Sequence, residues 1–191
     1  DAQSGGTRSN NAKLATTRGV LSGMIGRTRS KGNPLRTLQN RVAVVTGAGS
    51  GIGRSTAEAL ARKGCDLALV DIREDALTGT AANVERYGRK ASIHVADVSN
   101  FERMMELPDE VVAEHCEVHI LMNNAGVMCA GRFEDESFDD IKWMVGINVW
   151  GVVHGCKAFL PILRQAEEAH IVNTASMVGL LGMPYNSTYS L

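Results

Sequence analysis

A chain of 191 residues, 44% of them hydrophobic, holds enough apolar side chain to bury the core of one domain. A formal charge of −1 gives no global attraction to nucleic acid or an anionic membrane, and no uninterrupted apolar run reaches the roughly 20 residues of a spanning helix. Cys65, Cys116, Cys129 and Cys156 lie far apart, with no CxxC and no histidine at metal-site spacing, which predicts reduced thiols rather than a disulfide framework or a metal centre. These features predict a soluble, cytoplasmic protein with neither nucleic acid nor membrane as partner.

The chain opens on Asp1 rather than Met, and from Ala2 to Arg41 it contains no acidic residue while Arg8, Lys13, Arg18, Arg27, Arg29, Lys31 and Arg36 are basic. Ser, Thr, Asn and Gly fill much of the rest. Such a segment buries too little apolar surface to offset its ordering entropy, so residues 1–38 are expected to be a disordered basic leader. An Arg/Ser-rich, acid-poor leader also fits an organelle transit peptide, which would change the location.

From Arg41 the pattern changes. Val42–Val45 reads as a β-branched strand ending in a glycine cluster, followed by a helix from Ser55 to Lys63. Asp66–Val70 is a second buried-type strand and Glu74–Tyr87 a polar helix. Ala91–Val95 is a third strand, Asn100–His115 a helix that Pro108 is expected to disturb, and Val118–Met122 a fourth strand. A long helical stretch covers Ser137–Gln165, and His170–Thr174 is the fifth strand. Strands alternating with helices predict βαβ units: an α/β Rossmann-type doubly wound parallel sheet with helices on both faces, over residues 39–191.

Thr46-Gly-Ala-Gly-Ser-Gly-Ile-Gly53 falls where the first strand meets the first helix. Glycines there permit a tight turn and close approach to a pyrophosphate, which the helix N-terminus faces with free N–H groups and its positive dipole end. Asp71 ends the second strand, 18 residues after Gly53, where a carboxylate can accept from adenosine ribose hydroxyls. A carboxylate ~4 Å from a 2′-phosphate costs on the order of 4 kcal/mol at an effective dielectric of 20, and even a third of that is about tenfold in affinity. NAD is therefore expected in preference to NADP, with Arg54 and Arg73 the nearby cations able to reverse the choice.

Further segments carry a family likeness. Asp97-Val98 follows the third strand, Asn123-Asn-Ala-Gly126 the fourth, and Ser176 with Tyr189 the fifth; with the glycine turn they resemble the short-chain dehydrogenase/reductase family from about Arg41 to Leu191. The resemblance implies that Gly47, Ser50, Gly51, Ile52 and Gly53 form the pyrophosphate turn and Asp71 is the ribose acid. It likewise implies that Asp97 and Val98 contact adenine, and that Asn124, Ala125 and Gly126 lie beside the nicotinamide-side ribose. Asn148, in Ile147-Asn-Val-Trp150, matches the asparagine of the family's catalytic tetrad, and Ser176 and Tyr189, 13 apart, match its serine and tyrosine. Tyr189 counts among the cofactor-binding residues too. Tyr185 is set aside because the residue four beyond it is tyrosine, not lysine.

What the resemblance implies is an NAD(P)-dependent oxidoreductase that interconverts a secondary alcohol and a ketone. Hydride passes to or from nicotinamide while a proton passes through Tyr189. A free tyrosine has a pKa of ~10, so the family's lysine four residues on, and the positive nicotinamide ring, favour the phenolate. Ser176 would hydrogen-bond the substrate oxygen, and Asn148 would hold a water in the proton relay, its place inside a helix suggesting a local distortion. The departure is that this lysine would be residue 193, beyond Leu191. The 191 residues are thus expected to be a C-terminally truncated, inactive part of an enzyme that is a homodimer or homotetramer acting on a small alcohol or carbonyl compound.

Other residues are given quieter roles. His94, His115, His119, His154 and His170 read as core or surface histidines, with no metal site. Met122, Met128, Met144, Met177 and Met183 read mainly as packing, with Met128, Met177 and Met183 candidates for lining a substrate pocket. Trp143 and Trp150, seven apart, suit a core or subunit contact, and Glu134, Asp135, Glu136, Asp139 and Asp140 a solvated helix start. Two rival readings remain: a non-catalytic dinucleotide sensor or scaffold, and a nucleic-acid binder that uses the basic leader.

Overall fold

The computed structural model describes residues 37–190. Its strands are β1 (Val42–Thr46), β2 (Asp66–Asp71), β3 (Ala91–Val95), β4 (Ile120–Asn123) and β5 (His170–Asn173). Between them run α1 (Gly51–Arg62), α2 (Glu74–Glu85), α3 (Phe101–His115), α4 (Phe138–Val145) and α5 (Gly151–Leu163). The sheet order is β3-β2-β1-β4-β5 and every pairing is parallel.

All of β1 is buried, as is β2 apart from its two ends, which is why both read as continuous apolar runs. β3 lies at the sheet edge and alternates, with Ser92 and His94 buried and Ile93 and Val95 exposed. Val44, Val70 and Leu121 meet Met104, Leu107 and Val111 of α3 and Phe159 and Leu163 of α5 in one apolar core. Strand order reverses between β1 and β4, so the crevice at their carboxyl ends is the fold's natural ligand position.

The boundaries depart from expectation in instructive places. α1 begins at Gly51 rather than Ser55, so Gly51, Ile52 and Gly53 are its first turn. β4 starts at Ile120 rather than Val118; just before it, His119 is bonded on both sides, its N–H donating to the Val42 carbonyl (3.0 Å), its carbonyl accepting the His170 N–H (2.8 Å) and its side-chain Nδ1 accepting the Val42 N–H (3.2 Å). Pro108 does not disturb α3, which runs unbroken through it; the buried ring simply forgoes one bond to the carbonyl a turn earlier. The long helix is interrupted by a π-helical turn, Gly146–Trp150, between α4 and α5. The stretch Phe138–Leu163 is long and apolar enough by length and composition to cross a membrane, although Ala158, Phe159 and Leu163 are here buried in the domain core.

The expectation for residues 1–38 falls outside the described residues except at Thr37 and Leu38. There the Cys65 thiol donates to the Leu38 carbonyl (3.2 Å), and burial pushes that thiol up to about 11. Cys65 is a free thiol, and Cys116, Cys129 and Cys156 are likewise unpaired.

α5 crosses β4 at very short range. A Cβ on Gly155 would lie 2.2 Å from Asn123 Oδ1, and the Asn123 side chain is fixed by its bonds to Asn173 Oδ1 (2.9 Å) and Cys156 Sγ (3.4 Å). Gly155→Ala is therefore expected to destabilise the domain by about 1–3 kcal/mol, read as a lower urea midpoint at unchanged m value.

Acid should destabilise the fold as well. Burial holds both His115 and His119 below the ordinary histidine value, so the unfolded chain takes up their protons first. The stability they lend is complete above the unfolded value near 6.5 and drains away as pH falls through their lower folded values. Urea midpoints measured from pH 7.5 down to 5 should decline below about 6.5, less steeply in His119→Gln.

Candidate functional site at the carboxyl edge of the sheet

Gly47 and Gly51 turn through positive φ (66° and 52°), which suits glycine. The turn is also crowded: a Cβ on Gly53 would stand 2.1 Å from the Gly47 carbonyl oxygen, and one on Gly47 2.9 Å from Ala125 Cα. Above Gly51 there is open space. Arg54 N–H is the first in α1 to reach a helical carbonyl, that of Ser50 (3.1 Å), and Ser50 supplies no side-chain cap. The N–H groups of Gly51, Ile52 and Gly53 thus lack intrahelical partners, and no acidic residue stands in that turn. Such an end accepts an anion, and the uncrowded side of Gly51 leaves room for a phosphate to approach.

Asp71 closes β2 beside this turn. Its Oδ2 accepts the Gly49 N–H (2.9 Å) and its Oδ1 the Arg73 N–H (3.1 Å), so the carboxylate is fixed in direction. Arg73 Nε lies 3.8 Å from Oδ1. Arg54 turns inward instead, donating to the carbonyl of Gly49 and, from Nε, to Thr80 Oγ1 (3.1 Å).

The segment after β4 is drawn onto β1 by Thr46, a residue that sequence reasoning used only to mark the motif's start. Its hydroxyl accepts the N–H groups of Asn124 (2.9 Å) and Ala125 (3.0 Å), while Asn124 Nδ2 donates to the Thr46 carbonyl (3.1 Å). Asn148 stands in the π turn, the local distortion expected there. Its Oδ1 accepts the Val127 N–H (2.9 Å) and its Nδ2 donates to the Val127 carbonyl (2.8 Å). The role visible for Asn148 is thus to hold the segment following Gly126, with both ends of its amide engaged by the backbone N–H and carbonyl of Val127.

Asp97 and Val98 form the loop from β3 to α3. Asp97 Oδ1 accepts from Ser99 N–H (2.8 Å) and Ser99 Oγ (2.7 Å), and the Val98 carbonyl accepts from His154 Nδ1 (2.9 Å). The backbone N–H of Ala96 donates to the Asp71 carbonyl (3.1 Å), tying this loop to the ribose acid.

Beyond β5, Ser176 caps a short 3₁₀ turn (Met177–Gly179), its Oγ accepting the Val178 N–H (3.2 Å). Tyr189 lies in a second such turn, Thr188–Ser190, packed against the first. Glu136 departs from the expected solvated helix start: one carboxylate oxygen accepts from Thr188 Oγ1 and the other is buried without a partner. Roughly 170–190 Å of extended chain separates Glu136 from Thr188, and nothing in local periodicity announces such a partner. Met128, Met177 and Met183 are exposed around these loops, as are Leu180 and Leu181, whereas Met144 is core. Trp143 and Trp150 are about half exposed, so neither is a core residue; Trp150 stacks on His154. Among the described residues no group of three or more His, Cys, Asp or Glu could hold a metal ion.

Residues 41–191 match the family model described as short chain dehydrogenase. The chain belongs to that family. A short chain dehydrogenase/reductase from Burkholderia phymatum, solved in complex with NAD, is 43% identical and superposes with a TM-score of 0.78, covering 81% of this chain and 56% of its own. SadH of Mycobacterium tuberculosis is 38% identical over 156 residues, 82% of this chain and 56% of its own length. An alcohol dehydrogenase from Thermococcus sibiricus, complexed with 5-hydroxy-NADP, is 34% identical with a TM-score of 0.76, covering 79% of this chain and 64% of its own. The chain thus spans little more than half the length of SadH and of several other curated relatives, and 28% of the longer EphD of Mycobacterium tuberculosis. Family membership accords with the parallel, Rossmann-type sheet.

Removing the Asn148 amide should loosen the segment it holds. In Asn148→Ala the Val127 N–H loses its acceptor, and exchange of that amide hydrogen is expected to quicken about tenfold, equivalent to ~1.4 kcal/mol for a lost buried bond. Hydrogen exchange resolved to single residues checks it.

Proposed function

We propose that this chain is the dinucleotide-binding part of an NAD-dependent dehydrogenase or reductase that interconverts a secondary alcohol and a ketone. The observation that carries the reading is the placement of Ser176 and Tyr189 past β5, Ser176 capping one 3₁₀ turn and Tyr189 lying in a second turn packed near the first, on the same edge of the sheet as the glycine turn. The nicotinamide, when bound, supplies or accepts the hydride.

The protein's own groups do the rest. The free N–H groups of Gly51, Ile52 and Gly53 bind the pyrophosphate, and Asp71 accepts from the adenosine ribose. Asn124, Ala125 and Gly126, pinned by Thr46 and Asn148, bound the nicotinamide end. Ser176 donates to the substrate oxygen as charge gathers there, and Tyr189 gives that oxygen its proton or takes it away. A cation beside Tyr189 is needed for this near neutral pH, and the family's lysine, four residues on, would be residue 193. The exposed Met128, Met177 and Met183 suit the walls of an apolar substrate pocket, and the half-exposed face of Trp143, Val149 and Trp150 suits a subunit contact in a homo-oligomer.

Selection of NAD over NADP follows from charge. Relatives bind both forms, so the residues at the ribose decide. Asp71 is aimed and anchored, and Arg54, the cation that could have answered a 2′-phosphate, is engaged by the Gly49 carbonyl and Thr80. Titration should show NADH binding about tenfold or more tighter than NADPH, with Asp71→Ala narrowing the gap; tighter NADPH binding would mean that Arg73 governs the pocket.

The 191 residues alone should show no turnover with secondary alcohols and NAD, whereas a version extended through residue 193 and the family's remaining strands should be active. Comparable rates from both would remove Tyr189 from the proton-transfer role, since the tyrosine would be working without its cation.

A further inference from the structure

α3 is fastened to β3 by a run of polar side chains that no step above employs. Arg103 donates from Nη1 and Nη2 to the two carboxylate oxygens of Glu110 (2.5 and 2.9 Å). Glu110 Oε2 lies 3.0 Å from His94 Nδ1, and Ser92 Oγ lies 2.7 Å from His94 Nε2 and 2.8 Å from His115 Nε2. Ser92, His94 and His115 are all buried. An ionised Glu110 only accepts, so His94 carries a proton on Nδ1. With the imidazole neutral, His94 Nε2 then accepts from the Ser92 hydroxyl, whose oxygen accepts from His115 Nε2–H. One set of tautomers therefore satisfies the whole run, and the bonds reinforce one another along it. The Arg103 guanidinium holds the Glu110 carboxyl below its usual range, consistent with an ionised carboxylate at its head.

The run starts beside the loop that bears Asp97 and Val98. Arg103 Nε donates to the carbonyl of Val95 (3.1 Å), the last residue of β3, and the Arg103 backbone N–H is capped by Asn100 Oδ1 (2.9 Å). Asp97 and Val98 lie between those two anchor points. The remaining inward contacts of α3, through Met104, Leu107 and Val111, are apolar and set no direction. The polar run fixes the seat of α3 on β3 together with Lys90 Nζ, which donates to the Glu114 carbonyl (2.6 Å), and so contributes to the height of a loop that the Ala96–Asp71 and His154–Val98 bonds also hold.

We propose that Arg103, Glu110, His94, Ser92 and His115 act together as a positioning network for the adenosine half of the dinucleotide site. The proposal rests on the reading that Asp97 and Val98 receive the adenine. None of the five touches the dinucleotide; they act through the loop, which must sit within a fraction of an ångström of its place to bind well. Glu110→Gln is the sharpest probe. It keeps the side chain's size at a partly exposed position but turns an amide N–H toward either Arg103 or His94, both donors.

The test measures affinity of the full chain for three probes: NADH, AMP, and reduced nicotinamide mononucleotide, which lacks the adenosine. In Glu110→Gln and in Ser92→Ala, NADH and AMP should each bind about tenfold more weakly, while the mononucleotide binds as in the wild type. A general loosening of the fold would weaken all three together, and that result, or unchanged AMP and NADH affinity in Glu110→Gln, overturns the network's role. If Ser92→Ala fails to fold, Glu110→Gln alone decides. Wild-type protein that binds neither AMP nor NADH, and is indistinguishable from Asp71→Ala, overturns the underlying cofactor reading instead.

Discussion

The Thr46 hydroxyl lies at the point where the order of the sheet reverses, almost wholly buried, accepting the N–H groups of Asn124 and Ala125 and donating to the Met122 carbonyl. Those N–H groups leave β4 at the end of its ladder and would otherwise face an interior without acceptors, at a cost of about 1–3 kcal/mol each. By taking both, one side chain draws the Asn124–Gly126 segment onto the glycine turn, close enough that a Cβ on Gly47 would strike Ala125. The two ends of an extended dinucleotide need walls at a fixed separation. Here those walls are the two lips of a crevice held together by a hydroxyl, so the glycines of the turn answer to protein backbone as much as to any ligand.

Electrostatics at the other end of the crevice follows the same economy. A carboxylate that accepts two backbone N–H groups has its orientation decided before a ligand arrives. Gly49 contributes one of those groups, and its lack of a side chain matters because a Cβ there would come within 2.8 Å of Asp71 Oδ2. The Arg54 guanidinium, which reads in sequence as a free cation beside the phosphate turn, is spent on holding that turn to α2 through Thr80. Charge counted along a sequence and charge presented to a ligand are different quantities, and Arg54 shows the difference.

Much of this was legible in the residues. β1 and β2 announce themselves because strands buried on both faces need unbroken apolar runs, and β3 was placed to the residue because turn-forming segments bound it on each side. The glycine turn, Asp71, Asn148, Ser176 and Tyr189 all lie at the carboxyl edge of the sheet, in the order that alternating strands and helices require. What escaped was whatever depends on partners distant in sequence. Glu110 lies 16 residues from His94 and Glu136 lies 52 from Thr188, separations with no periodic signature. α1 began four residues earlier than its pattern suggested because glycine counts against a helix by propensity, yet close packing against Gly47 demands it. Pro108 misled in the opposite sense: burial of its ring in the core outweighs one missing hydrogen bond.

The π turn at Gly146–Trp150 also sets the phase of everything that follows it. A wider turn absorbs one residue more than an α-helical turn would, and each residue of an α-helix advances the side chains by about 100°. Gly155 faces Asn123 and Phe159 faces the core only because that extra residue has been taken up upstream. Shortening the segment by one residue, while leaving every interacting side chain chemically intact, would swing Gly155 away from β4 and carry a bulkier neighbour into its place. The length of this short stretch is therefore under tighter constraint than most of its individual side chains, and change in this lineage should pass through substitution there and not through insertion or deletion.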